Sequence, residues 1–251
     1  MHTLFISDLH LSPSTPKLNQ AFFCFLQQEA LLSDGLYILG DLFDFWIGDG
    51  DKSNFADVIR KELAALTSTG VPCYFVKGNR DFLVGHRFAK ETGVTLMPDE
   101  SVIDLYGHSI LLMHGDTLCT GDQSYQTLRK KLRASWLRSI YDIMPFKLKS
   151  RIASKIKFSI KKSKKILSPP MVMDVAPSAV MEAVIKHKVS HLIHGHTHQP
   201  ETHYFRVQGA EKYRIVLGDW SVQSHVLKID SEFNVECLRN EITASRVSKG
   251  K

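Results

Sequence analysis

Residues 2–10 read HTLFISDLH, a run of apolar and β-branched residues that closes on Asp8-Leu9-His10. A run of this length and composition, bounded by turn formers, reads as a buried strand. The same arrangement returns four times. GLYILG (35–40) is followed by Asp41-Leu42-Phe43-Asp44, and PCYFVKG (72–78) by Asn79-Arg80-Asp81. SILLM (109–113) is followed by His114-Gly115-Asp116, and SHLIHG (190–195) by His196-Thr197-His198. Ligand-type side chains that follow strand after strand emerge together at one edge of a parallel or mixed sheet, where open α/β sheets place their sites. The pattern thus predicts an architecture and the position of its chemistry.

Between these runs the apolar period changes to that of helices. Leu18, Phe22, Phe25 and Leu26 predict a helix over 17–31, and Phe55, Val58, Ile59, Leu63 and Leu66 predict one over 54–68, with Gly70 as its stop. Strand and helix alternate as in βαβ units. Residues 101–113 (SVIDLYGHSILLM) read as two strands joined at Tyr106-Gly107-His108, hence a hairpin. Pro177 opens a further helix through Val180, Val184 and Ile185. From 203 onward KYRIVLGDW, HVLKID and NVECL alternate, which predicts an antiparallel meander completing a second sheet. The polar residues 240–251 are expected to fray.

A chain of 251 residues, 43% hydrophobic and 23% charged, can bury one large core. Cys24, Cys73, Cys119 and Cys237 lack CxxC spacing, which argues against a zinc ribbon or a disulfide framework. The start of the chain lacks the pattern of a signal peptide, and no apolar stretch reaches the roughly 18–20 residues of a membrane span. The expectation is a soluble or at most peripheral protein. The charge is concentrated. Residues 129–165 carry fourteen Lys/Arg and one acid, Asp142, leaving −7 for the remainder of a chain whose total is +6. Leu128, Leu132, Trp136 and Ile140, then Ile152, Ile156 and Ile160, predict two amphipathic helices with basic polar sides. A solvated face, a nucleic-acid surface and an anionic leaflet all fit such a segment. Stacking aromatics are few there, while apolar positions interleaved with Lys favour the leaflet, where each basic residue contributes about 1 kcal/mol.

Asp, His and Asn supply oxygen and imidazole ligands without thiolate, a set suited to Mn, Fe, Zn or Mg. Asp8, His10, Asp41, Asn79, His114, His196 and His198 exceed what one ion takes, so two ions with a bridging carboxylate are the economical reading. Ions roughly 3.5–4 Å apart share a water, lower its pKa and clamp a phosphoryl oxygen. In D-x-H and H-x-H, read as extended segments, side chains two apart share a face. Arg80, beside a ligand, offers a planar guanidinium for phosphate. Asp44, Asp81, Asp116 and Asp122 are acids near the site, placed either to orient metal-bound His or to act directly. His86, His187, His194, His203 and His225 read as surface or satisfied core positions, and Trp46 as core.

Taken in order, D-x-H, G-D-x-x-D, G-N-R-D, H-G-D and G-H-T-H resemble the calcineurin-like metallophosphoesterase superfamily over residues 3 to about 200. The resemblance implies an α/β fold of the four-layer αββα sandwich type. It implies one ion on Asp8, His10, Asp41 and His198 and another on Asp41, Asn79, His114 and His196. TLFISDLHL, YILGDLFDFWIGD, PCYFVKGNRDFL, LMHGDTLCTGD, MDV (173–175) and IHGHTHQP carry a narrower resemblance. It is to the bacterial family that splits UDP-2,3-diacylglucosamine into UMP and 2,3-diacylglucosamine 1-phosphate (lipid X) in lipid A biosynthesis. That resemblance implies two divalent ions per chain, Mn2+, and peripheral attachment to the cytoplasmic face of the inner membrane. It also implies one domain, 1–251, with a helical lid insertion at about 123–170. Asp41, Asn79, Arg80 and His114 take the catalytic roles, and Asn79, Arg80, Asp122, Lys164, Lys165 and His196 the substrate contacts. Lys164 and Lys165 are positional choices, because FSIKKSKKILSPP carries one residue more than the related S-x-x-x-N-S-S-K-S pattern. No residue stands out as a general acid. No nucleic-acid partner and no obligate protein partner is expected. The rivals are another metallophosphoesterase, acting on dinucleoside polyphosphates or nucleic acid, and a non-catalytic nucleic-acid binder through 129–165.

Overall fold

A computed structural model of the chain describes residues 1–121, 123–132, 144–145, 148–149 and 175–242. The strands are β1 (His2–Ile6), β2 (Gly35–Leu39), β3 (Cys73–Val76), β4 (Thr95–Met97), β5 (Glu100–Leu105), β6 (His108–Met113), β7 (His191–His194), β8 (Thr202–Val207), β9 (Ala210–Val216), β10 (Gln223–Asp230) and β11 (Val235–Glu241). The helices are α1 (Pro16–Gln28), α2 (Asn54–Ser68), α3 (His86–Thr92), α4 (Gln123–Leu132) and α5 (Pro177–His187). All five apolar runs are strands. The short α3 and β4 were not expected, because seven and three residues are too few to establish a period.

Two mixed sheets result, ordered β11-β10-β1-β2-β3-β4 and β5-β6-β7-β9-β8. In the first, β1, β2, β3 and β4 run parallel; in the second, β6, β7 and β9 do. The period of two sorts each strand between two cores. Leu4 and Ile6 of β1, with Leu36 and Ile38 of β2, face the core that also takes Phe22, Phe25 and Leu26 of α1 and Ile59 and Leu63 of α2. Phe5 and Leu39 point the other way, against Ile110, Leu112, Ile193 and Ile215 of the second sheet. Leu111, Met113 and Leu192 turn outward onto Val180, Ala183 and Val184 of α5. Helix, sheet, sheet, helix is the αββα order. Strands covered on both faces read as unbroken apolar runs, and this is why the five signals are so plain. Truncating one such residue, Leu112→Ala for example, costs about 2–5 kcal/mol.

The C-terminal region differs from expectation. The C-terminal strands do not form one meander in the second sheet. β8 and β9 form a hairpin there, with β9 parallel to β7, while β10 and β11 return to the first sheet, β10 antiparallel to β1. Val226 of β10 packs into one core and Leu227 into the other, so both faces of that strand are needed. The hairpin at 105–108 forms as expected, with Tyr106 (φ 51°) and Gly107 (φ 84°) in the left-handed conformations of a two-residue turn. Asn240 and Glu241, expected to fray, instead close β11 against Ser224 and Gln223. Of the basic insertion, α4 is described; most of the two expected insertion helices, Asp122, Lys164, Lys165 and residues 243–251 lie outside the described residues.

Candidate metal centre

The carboxyl ends of β1, β2, β3, β6, β7 and β9 meet at one end of the sandwich, where their loops are stitched together by backbone hydrogen bonds. Asp8 N donates to Gly40 O (3.1 Å), His10 N to Asp41 O (3.0 Å), Gly195 N to His114 O (2.9 Å) and Leu217 N to His194 O (2.7 Å). Five of the seven expected ligands have left-handed backbones: Asp8 (φ 56°), His10 (52°), Asp41 (53°), His196 (70°) and His198 (57°). A non-glycine residue held there costs on the order of 1–3 kcal/mol, and such strain gathers at functional sites. Asp8 and His10 therefore converge through two left-handed bends and not through the shared face of an extended strand, as do His196 and His198. Glycines permit the crowding. A Cβ on Gly195 would collide with the Asp8 carboxylate and Ser7, and one on Gly78 with the Asp41 carboxylate.

The seven side chains come together in two groups. In one, Asp8 Oδ1 lies 3.3 Å from His198 Nε2, which is 3.4 Å from His10 Nε2. Asp8 Oδ2 accepts from Ser7 Oγ (2.7 Å) and His196 N (2.8 Å), whereas the buried Oδ1 accepts no hydrogen bond. In the other, His114 Nε2, Asn79 Oδ1 and His196 Nδ1 are 3.0–3.2 Å from one another, and His114 Nε2 is 3.6 Å from Asp41 Oδ1. His114 Nδ1 donates to Leu39 O (2.9 Å), which aims the Nε2 atom into the cluster. Ligand atoms of Asp8, His10 and His198, and likewise of Asp8, Asp41 and His114, all fall within 4.8 Å.

Burial and mutual proximity shape the charges. Burial alone would raise Asp8, but His198, His114 and Ser7 hold its carboxyl well below the usual range. Burial pushes Asp41 up to about 6 against the pull of His114. Burial would lower His114, yet Asp41, Asp8 and Asp116 raise it to about 9. Burial lowers His196 to about 3 and His10 to about 4. His198, also opposed by burial, is raised through Asp8 and Asp219. An orphaned buried carboxylate oxygen, facing imidazole nitrogens and an amide oxygen, all without thiolate, is the donor set of divalent cations, and the two groups fit two of them.

The surrounding residues hold these loops in place. Asp81, fully buried, accepts from Gly78 N (2.7 Å) and Leu42 N (2.8 Å), tying the β3 loop to the β2 loop. Burial, with Asp41 nearby, raises it to about 6. Arg80 N donates to Asp41 Oδ1 (2.8 Å), and its guanidinium makes no ion pair among the described residues. Asp116 accepts from Arg129 Nε (2.6 Å), and Arg129 also reaches Asp99 (3.0 Å), so α4 is fastened to the loop that carries His114. Trp46 is core, as expected. His194 and His225 are not satisfied core positions: each is buried with one ring nitrogen lacking a partner. Reading the sequence missed Ser7 and Asp219, whose Oδ2 lies 3.9 Å from His198 Nδ1. Asp219 follows KYRIVLG, a sixth strand end with a ligand-type side chain, which the rule for the other five would have found.

The family model of the calcineurin-like phosphoesterases matches residues 1–200. The chain is 52% identical over 241 residues to a UDP-2,3-diacylglucosamine hydrolase of Vibrio cholerae serotype O1, covering 96% of this chain and 99% of that one. Proteins of the same name from Vibrio parahaemolyticus and an Enterobacter species are 50% and 47% identical, each over 92% of this chain and 96% of its relative.

Proposed function

This chain belongs to the calcineurin-like phosphoesterases, and on that premise we propose that it hydrolyses the pyrophosphate bond of UDP-2,3-diacylglucosamine, giving UMP and 2,3-diacylglucosamine 1-phosphate. The observation that carries the reading is the pair of lone-pair clusters meeting around Asp8 and Asp41, in a chain that matches proteins named for that reaction along nearly their whole length.

Asp8, His10, Asp41 and His198 would hold one divalent ion and Asp41, Asn79, His114 and His196 the other, with Mn2+ as the proposed metal. Two such ions lower the pKa of a shared water and polarise a phosphoryl oxygen. The protein supplies placement. His114 is fixed through its Nδ1 hydrogen bond, so that Nε2 stays directed inward. Arg80, its backbone anchored on Asp41, can grip two oxygens of the phosphoryl group and stabilise charge that develops on them. The departing sugar 1-phosphate is a good leaving group, so the absence of an evident general acid among the described residues is no obstacle.

Asp122, Lys164 and Lys165 are proposed as further substrate contacts, and the basic insertion as a lid that seats the acyl chains at an anionic leaflet, on the cytoplasmic face of the inner membrane. Support comes from the composition of 129–165, fourteen Lys/Arg against one acid with apolar positions between them. Release of UMP from UDP-2,3-diacylglucosamine, compared with hydrolysis of dinucleoside polyphosphates and DNA with and without Mn2+, tests the reading. Turnover confined to the lipid nucleotide is expected. Equal or faster hydrolysis of the other substrates would replace it with a different phosphoesterase.

A further inference from the structure

The loop after β9 carries a carboxylate that none of the sequence motifs includes. β9 runs parallel to β7, so its end emerges beside the loop of His196 and His198. The β9 loop is rigidly placed. Leu217 N donates to His194 O (2.7 Å), and Trp220 N approaches Asp8 O (3.4 Å). The Trp220 ring is buried, with Nε1 donating to His225 O (3.0 Å) and its ring edge against Phe25. Asp219 is thus held between two backbone anchors. Among the described residues its side chain makes no hydrogen bond, and its one ion-pair contact is His198 Nδ1, 3.9 Å from Oδ2.

The orientation of His198 gives that contact its meaning. Its Nε2 faces Asp8 Oδ1 (3.3 Å) and His10 Nε2 (3.4 Å), so Nε2 is the ligating nitrogen and Nδ1 must carry the proton. A metal-bound imidazole is commonly oriented by a carboxylate that accepts from its second nitrogen, which fixes the tautomer and strengthens the ligand. His198 needs such support more than the other ligands do: its side chain is 38% exposed, against 1% for His114, which is held by the Leu39 carbonyl. We infer that Asp219 is the positioning residue of His198, holding it as the Nδ1–H tautomer for the cation site it shares with Asp8 and His10. The 3.9 Å separation closes to a hydrogen bond by a side-chain movement of about 1 Å.

This inference rests on the metal reading above, and the experiment separates the two. The full-length protein is stripped with chelator and titrated with Mn2+ by calorimetry. Wild type should bind two ions. Asp219→Ala should weaken one site by about 10–100-fold and leave the other unchanged. Asp219→Asn, which keeps an oxygen for Nδ1, should recover most of the loss. The chelated proteins should melt at nearly the same temperature, because the carboxylate makes no hydrogen bond among the described residues and its one ion pair is 3.9 Å long. Wild-type affinity at both sites in Asp219→Ala overturns the inference, as does equal weakening of both sites with a lowered melting temperature. A wild type that takes up no Mn2+ overturns the metal reading itself.

Discussion

Two buried polar clusters are built on opposite rules, one around helix α2 and the other where loops of both sheets meet. Around Arg60 of α2, donors meet acceptors. Its guanidinium donates to Asp57 (2.9 Å) and to the carbonyls of Asp49 (3.1 Å) and Asp51 (2.7 Å), lies 3.0 Å from Glu91, and sits over the Trp46 ring at 5.2 Å. Asp49 in turn accepts from Trp46 Nε1, Gly85 N and Phe88 N. In the metal centre Asp8 Oδ1 has no hydrogen bond, and the Nε2 atoms of His10 and His198 face each other at 3.4 Å. The first cluster is nearly complete as protein: Arg60 Nε alone lacks a hydrogen bond, and it lies 3.0 Å from Glu91. The second gathers ligand-type atoms that a bound cation would complete, and buried polar groups left without partners cost about 1–3 kcal/mol each. The contrast teaches that the site is marked by failed pairing more than by its density of charge.

Four substitutions or titrations test the contrast. Asp41→Ala removes the carboxylate proposed to serve both ligand sets and should lower UMP release by more than about a thousandfold. Substantial residual turnover would sink the two-ion reading. Arg60→Met should instead act on folding. It strands the Asp49 and Asp51 carbonyls and costs about 3 kcal/mol, after discounting the half-exposed Asp57. Denaturant melts should show that loss while Mn2+ stoichiometry stays at two. A matching loss of metal would mean that the clusters are one unit.

Arg80→Lys keeps the charge but not the fork, and should lower kcat/KM by about 10–100-fold with metal affinity unchanged. The smallest effect is on pH. Asp41, with Asp8 and Asp116, outweighs burial and raises His114 to about 9, so in the metal-free protein it is protonated at neutral pH and its Nε2 lone pair is occupied. A cation must displace that proton. Affinity for Mn2+ should therefore rise by about tenfold per pH unit from 7 toward 9 and level off above it. A flat profile in calorimetry across that range would show that His114 binds nothing.

Much of this was legible in the chain. Leu4, Phe5, Ile6 and their counterparts announce strands because both of their faces are covered, and α2 spans the residues predicted, Asn54–Ser68, with Ser53 as its N-cap. The seven candidate ligands were visible because each ends such a strand. Other features were not. β10 and β11 were placed in the wrong sheet, since alternation tells which side chains share a face but not which strand lies alongside. Asp219 ends the KYRIVLG run and was open to the same rule, but its pairing with His198 was not, because that contact runs between two loops.

The sequence by itself determined the strands, the helices that cover them and the chemistry at the strand ends, because apolar period and turn residues act locally. Tertiary structure decided which ends meet. Asp8 and His198 are 190 residues apart in the chain, and their 3.3 Å approach exists because β1 and β7 lie in different sheets packed face to face. It also decided the left-handed bends at Asp8, His10, His196 and His198. Their cost is met by the backbone bonds of neighbouring loops; Asp and His tolerate such bends better than most residues, but that tolerance alone would not have selected them.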